Sequence, residues 1–341
     1  MESYQLTQQL FQSLTQKWQD EYSYQENIRY LVTNIIAQRI FGIPEVPIEE
    51  MKVLQDMSYA LANHQPDSEA FKKAAETFQK SSDKLVQRFG RNILDAKKYA
   101  FDQIREDDNS LERLADIKVG SDILVEGNLS NTIMIAIAQL LENKDLLEEL
   151  RSELVTLDLN TVPNNEEHAK ELYTSLNRCT LLQKIYVEAL RFVSAGGITA
   201  RKTSRASEWD VKDKEGNTRH FSVPKGSFLF APLRMMAHDQ NFFKDPEIFN
   251  PHRFDNCETP REFNLLGLSP FITGIRSCPA EGQFAKLVFK LAVSITITQH
   301  RGLKLDKNMQ TIAANSMHPV MEPPCYRVSE EEPTMNMAAL P

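Results

Sequence analysis

Three stretches of this chain, in a fixed order, carry side chains whose types and spacing could do chemistry. Glu188-Ala189-Leu190-Arg191 sets a carboxylate and a guanidinium three residues apart, on one helix face, where they can pair. Alone this says little, because most such pairs are solvated and worth little. Phe249-Asn250-Pro251-His252-Arg253-Phe254 then supplies a second arginine inside an aromatic, proline-fixed loop that can close onto the pair. A buried Arg-Glu-Arg cluster costs desolvation energy, and it is better explained as fixing a geometry than as simple stabilisation. The third stretch runs Phe271-Ile272-Thr273-Gly274-Ile275-Arg276-Ser277-Cys278-Pro279-Ala280. A cysteine just before a helix is favoured as thiolate by the partial positive charge and unpaired N–H groups of the helix N-terminus. That is the requirement for a soft anionic ligand of haem iron. A lone free cysteine is more often a small buried hydrophobe. Arg276, two residues earlier, is hard to explain on that reading and natural as the partner of a haem propionate.

The elements that must position these residues follow from breakers and periodicity. Of 16 prolines, only Pro44, Pro47, Pro66 and Pro163 precede Pro224, and glycine is scarce at 12 in 341 residues. A long helical part is therefore expected first and a turn-rich part after it, since both residues end helices. Helical spacing of apolar residues predicts helices over Tyr4–Trp18, Glu26–Phe41, Ile48–Asn63, Ser68–Asp102 and Ser110–Lys118. The stretch Ser121–Leu154 has no proline and is apolar all round at 133–138, so it reads as one helix buried at the centre of a large domain. After the breaker-rich 160–167, another helix is expected to end near Phe192. Strands are read at Arg219–Val223, after a Gly216-Asn217 hairpin signal, and at Phe228–Ala231, after the turn Pro224-Lys225-Gly226. A last apolar helix covers Gln283–Thr298. The whole is one domain over 1–329, mainly α with a small β portion, followed by a disordered tail over 330–341.

Composition narrows the function classes. A net charge of -8 speaks against nucleic acid as a partner, and no apolar run reaches the length of a bilayer span. The four cysteines show no CxxC spacing, which makes reduced thiols and a cytoplasmic location the expectation. Signatures for metalloproteases, P-loops, dinucleotide folds and serine hydrolases are absent from the sequence.

Taken together the three stretches resemble the cytochrome P-450 superfamily of haem-thiolate enzymes. The ExxR helix of that family matches Glu188 and Arg191, its FxPxRF meander matches Phe249–Phe254, and its FxxGxRxC loop matches Phe271–Cys278. The similarity extends to Ile198-Thr199-Ala200-Arg201, to Val223-Pro224-Lys225-Gly226 and to His238, and it runs from about Tyr4 to Val328. The resemblance implies haem b as cofactor, with Cys278 as axial iron ligand. It also implies Arg201 and Arg276 on the propionates, Phe271 and Gly274 shaping the cysteine loop, and Glu188, Arg191 and Arg253 locking the core. The implied activity is a monooxygenase that inserts one oxygen atom from O2 into an apolar small molecule such as a lipid or sterol. A reductase or ferredoxin would be its redox partner, docking near Lys286 and Lys290.

Departures from the family pattern open alternatives. Where the family carries an acid followed by Thr on its central helix, this chain has Gly127 and Asn128, taken as lining the oxygen side. Asn at that place resembles a branch that contains a peroxide isomerase as well as hydroxylases, so an isomerase, dehydratase or peroxygenase needing no reductase stands as a second reading. After Cys278 the expected Gly is replaced by Ala280, and the following helix, judged from Phe284-Ala285, begins one residue late, as a one-residue insertion in the loop would give, with Gly282 supplying the lost backbone freedom. By the same resemblance Tyr4–Trp18 corresponds to the fourth helix of the family. The fold is therefore expected to lack its first helices, and a non-catalytic remnant is the third reading.

Overall fold

The computed structural model describes residues 24–41, 67–80, 128–193, 199–212, 215–256 and 283–300, with short pieces at 8, 46, 49, 53, 64–65, 84, 270–272, 277–278, 303–305 and 326–328. Helix α1 is Tyr24–Phe41, α2 covers 69–80 and α3 covers 128–142. They are followed by α4 (Lys144–Leu154), α5 (Glu166–Arg178) and α6 (Thr180–Val193). Four strands come next, β1 (Thr199–Lys202), β2 (Ser207–Lys212), β3 (Thr218–Val223) and β4 (Phe228–Ala231). A short helix α7 (Leu233–Ala237), a 3-10 turn (Pro251–Phe254), α8 (Gln283–Gln299) and strands β5 (Leu303–Leu305) and β6 (Tyr326–Val328) complete the order. The architecture is mainly helical with a small β portion, as the sequence indicates.

Of the stretch read as one helix over Ser121–Leu154, the described part, 128–154, is two helices. Asn143 leaves helical geometry at φ -106, ψ 92, and its side chain accepts the Leu146 N–H, so it caps α4. An asparagine prefers this capping role to a place inside a helix. The helix ending near Phe192 is likewise preceded by a separate α5, capped by Asn165 and ended where Cys179 turns to φ -68, ψ 102. Strands β1 and β2, which periodicity did not signal, pair antiparallel with β4 and β3. The registers run from Thr199↔Ala231 to Lys202↔Phe228 and from Ser207↔Val223 to Lys212↔Thr218. Both anticipated turns use a glycine in the left-handed region, Gly216 at φ 84 and Gly226 at φ 88. Apart from single positions, the helices expected at Tyr4–Trp18, Ile48–Asn63 and Ser110–Lys118, and the tail 330–341, lie outside the described residues.

One core joins α1 and α3 to α8, while Phe78 of α2 belongs to a separate small cluster. From α3 come Ile133, Met134, Ala136, Ile137 and Leu140, and from α8 come Leu287, Val288, Phe289, Leu291 and Val293. Between them lie Leu181, Leu182, Ile185 and Tyr186 of α6. The α6 helix, which carries the first motif, is therefore surrounded by protein. Its start is held by a distant carboxylate. Glu153 Oε1 accepts the Leu181 N–H at 3.0 Å and Oε2 accepts the Leu182 N–H at 3.0 Å, with the Thr180 hydroxyl donating to Oε1 at 3.2 Å. Negative charge there satisfies N–H groups that have no partner within the helix and offsets the helix dipole.

Candidate functional site

Glu188 and Arg191 point to one side of α6 and neither has solvent exposure. Their forked pairing is short on both arms, Arg191 Nε to Glu188 Oε2 at 2.8 Å and Nη2 to Oε1 at 2.8 Å. Arg253, on the 3-10 turn that Pro251 starts, brings its Nε to 3.1 Å from each Glu188 oxygen. The loop expected to close onto the pair does so.

One carboxylate facing two guanidiniums leaves a surplus positive charge, which peptide carbonyls absorb. Arg191 Nη1 donates to Ala237 O at 2.8 Å, while Arg253 donates to Lys244 O at 2.8 Å, Asp245 O at 3.3 Å and Ile248 O at 2.8 Å. The Asn250 N–H donates to Glu188 Oε1 at 2.8 Å. The rings of Phe243 and Phe192 lie 5.4 and 5.7 Å from the Arg191 guanidinium carbon. His238 extends the network, with its ring nitrogens 3.1 Å from Phe192 O and 3.0 Å from Glu247 Oε1. A cleft of roughly 500 Å³ beside the meander is lined by Phe242, Phe243, Ile248 and Arg253 among others. Because the Arg253 guanidinium is already spent on internal acceptors, the whole arrangement works as a structural knot.

The cysteine loop is described at its two ends. The Cys278 N–H donates to Phe271 O at 2.8 Å, which closes the loop, and Ile272 holds φ 62. A β-branched residue in that region is strained, and such strain persists where surrounding structure over-determines it. Cys278 is a free, half-buried thiol five residues before α8 begins. Gly127, Gly274, Arg276, Ala280 and Gly282 lie outside the described residues. Asn128 is half-buried on α3, and its carbonyl accepts the Thr132 hydroxyl at 2.7 Å. Arg201 is exposed on β1, where its guanidinium donates to Thr199 Oγ1 and Ala200 O and faces no carboxylate among the described residues.

This donor set fits a haem. A single accessible sulfur stands in a tight loop ahead of a helix, as a thiolate ligand requires, and Arg201 is a cation left available for a propionate. One expectation is corrected. Lys290, read as a surface docking residue with Lys286, is 1% exposed, and its ammonium donates to Leu176 O at 2.9 Å and Asn177 Oδ1 at 3.3 Å. Sequence reasoning missed Glu153 as part of the frame, and it singled out His238 and the stretch that holds Asn250 without giving either residue a role.

The family model described as Cytochrome P450 matches residues 5–328. The chain is 24% identical over 190 residues to abscisic acid 8'-hydroxylase CYP707A1 of Solanum lycopersicum, covering 56% of this chain and 36% of that protein. It is 25% identical over 276 residues to cytochrome P450 84A4 of Arabidopsis thaliana, covering 72% and 52%. To probable cytochrome P450 6d4 of Drosophila melanogaster it is 28% identical over 186 residues, covering 54% and 33%. The matches therefore span about a third to a half of the length of these curated relatives.

Proposed function

The chain belongs to the cytochrome P450 family, and from that premise we propose that it is a haem-thiolate monooxygenase acting on an apolar small molecule of the lipid or sterol kind. Cys278 supports this reading most directly, as a free, half-buried thiol in a loop closed on Phe271 ahead of α8. Haem b bound there would supply oxygen activation, one atom of O2 entering a C–H bond and the other leaving as water, with two electrons from a redox partner and two protons from solvent. The protein does the rest. The Cys278 sulfur would hold the iron, and the closure of its loop on Phe271 would orient that sulfur. Arg201 and Arg276 would hold the propionates by charge-assisted hydrogen bonds. The Glu188–Arg191–Arg253 knot keeps the meander and α6 as one rigid unit beneath the site, since a positioned ligand is only as exact as its support. Gly127 and Asn128 would line the oxygen side, where Asn128 lies on α3, a helix whose buried residues exclude water. The single-domain reading over 1–329 and a cytoplasmic location belong to the same proposal.

Several relatives carry hydroxylase in their names, which favours oxygen insertion over the peroxide reading raised by Asn128. The deciding measurement is the spectrum of the reduced, carbon monoxide-bound protein, followed by turnover with and without a reductase. A red-shifted, thiolate-type Soret band with turnover dependent on NAD(P)H and reductase is the expected result. Turnover of an organic peroxide with no reductase would establish the isomerase or peroxygenase reading instead, and a folded protein that takes up no haem would establish the non-catalytic one.

A further inference from the structure

Away from the Glu188 knot, the described residues hold another group of titratable side chains, the buried Lys290 and Cys179 with the half-buried Lys286 and Glu153. Lys290 lies on α8, seven residues past its start at Gln283 and twelve past Cys278. Its acceptors belong to a different helix, since Leu176 and Asn177 form the last turn of α5, more than a hundred residues away in sequence. The ammonium therefore sits on the negative end of α5, where carbonyl groups lack helical partners. Glu153 and Cys179 favour its charge and Lys286 opposes it. No carboxylate is directly paired with Lys290 among the described residues.

Stability does not explain a lysine here. Burying an ammonium without a direct counter-ion is expensive, and a methionine of similar volume would fill the same space. What a methionine lacks is direction. The buried side chains that flank Lys290 on α8, Leu287, Val288, Phe289 and Leu291, are apolar, with the buried polar Ser294 and Thr296 further along the helix, and apolar burial is non-directional. Hydrogen bonds to two oxygens fixed in another helix admit only one axial and rotational setting.

We propose that Lys290 is a positioning residue for the Cys278 loop: the bonds from its ammonium to Leu176 and Asn177 set the register of the helix that leads out of that loop, about two helical turns from where it starts. The consequence for the thiolate rests on the proposed function, whereas the consequence for the loop does not.

The test compares the unsubstituted full chain, as purified, with Lys290→Met and Lys290→Arg. Amide hydrogen exchange is followed for the peptide containing Phe271 to Gln283, with far-UV circular dichroism and exchange of α4 as controls for fold. The Met variant is expected to keep the controls while the loop peptide exchanges at least about tenfold faster. Its reduced carbon monoxide spectrum is expected to lose at least about two-thirds of the thiolate-type band, and the Arg variant, which keeps charge and donors, to recover part of both. A folded Met variant whose loop exchange stays within about twofold of the original overturns the proposal. Should the Met variant not fold, Asn177→Leu, which removes one acceptor and leaves the lysine, is read by the same exchange experiment. At least about threefold faster loop exchange then supports the proposal, and anything less overturns it. If the unsubstituted protein shows no thiolate-type band, the proposed function fails while the exchange result still decides the role of Lys290.

Discussion

Glu188 and Arg191, one turn apart on α6 and both fully buried, form a two-armed ion pair with each arm at 2.8 Å. A pair this dry gains its Coulomb attraction at the cost of two desolvations, so its net contribution is small while its rupture is severe. Replacing Glu188 by Gln leaves Arg191 and Arg253 facing carbonyls with no negative partner. The expected loss is about 3–5 kcal/mol, large against the roughly 5–15 kcal/mol by which folded domains are stable. Equilibrium urea unfolding of the Glu188→Gln protein measures it, and a loss below about 1 kcal/mol would mean that solvent reaches the cluster.

Arg253 differs from Arg191 in what it holds. Its guanidinium gathers Lys244, Asp245 and Ile248 carbonyls onto Glu188, so it ties the loop before the 3-10 turn to α6. Lysine carries the same charge but cannot serve that many acceptors in one plane. For Arg253→Lys the expected result is a loss of about 1–3 kcal/mol with faster amide exchange at 244–250. An Arg253→Ala protein is expected to lose more than the lysine variant. Equal losses would show that charge alone matters.

The triad was legible because its members sit at helical spacing and in a proline-fixed loop, patterns that side-chain types announce. The cage around it was not. Ala237, Ile248, Lys244 and Asp245 take part through their carbonyl oxygens, and a backbone oxygen leaves no mark on residue type. The break at Asn143 had a mark, an N-cap residue, but the apolar periodicity on either side of it hid the change of axis. Glu153 reaches Leu181 from another helix, 28 residues away, and no local window holds both. Lys290 misled because lysines are mostly exposed, although its neighbours Phe289 and Leu291, both apolar, mark a helix buried on every side. At the cysteine loop the order of residues gave Cys278 its place before α8. The positive φ fell at Ile272, where residue type gave no warning, while Gly274 lies outside the described residues.

Lys290 makes stability depend on pH in a definite direction. Burial, with Lys286 adding to it, lowers its ammonium from 10.5 to about 7, against the opposing pull of Cys179 and Glu153. Between those two values the unfolded chain keeps a proton that the folded chain has released. Unfolding then takes up protons, so stability rises with pH across that window, by at most about 1.4 kcal/mol per unit, and this gain is lost as pH falls toward 7. Other groups titrate in the same range, which is why the difference between the unsubstituted chain and Lys290→Met is the quantity to follow. Denaturant unfolding from pH 6 to 10 is expected to give a steeper rise for the unsubstituted chain than for the variant. Parallel curves would mean that Lys290 titrates near its ordinary value.

The two described cysteines give the sharpest separation between a ligand and a packing residue. Cys179 is buried at the break between α5 and α6, where burial foremost and Glu153 next push its thiol above the ordinary value, so it is held neutral and unreactive. Cys278 is half-exposed in a closed loop ahead of a helix. Alanine at 179 removes one sulfur from the core, at a cost of about 1 kcal/mol, and is expected to leave the spectrum of the reduced, carbon monoxide-bound protein unchanged. Alanine at 278 is expected to cost less in stability, because the side chain is only half-buried, yet to abolish the thiolate-type band. Each variant thus loses what the other keeps. A thiolate-type band that survives in the Cys278→Ala protein would remove this residue from the iron and, with it, the basis of the proposed chemistry.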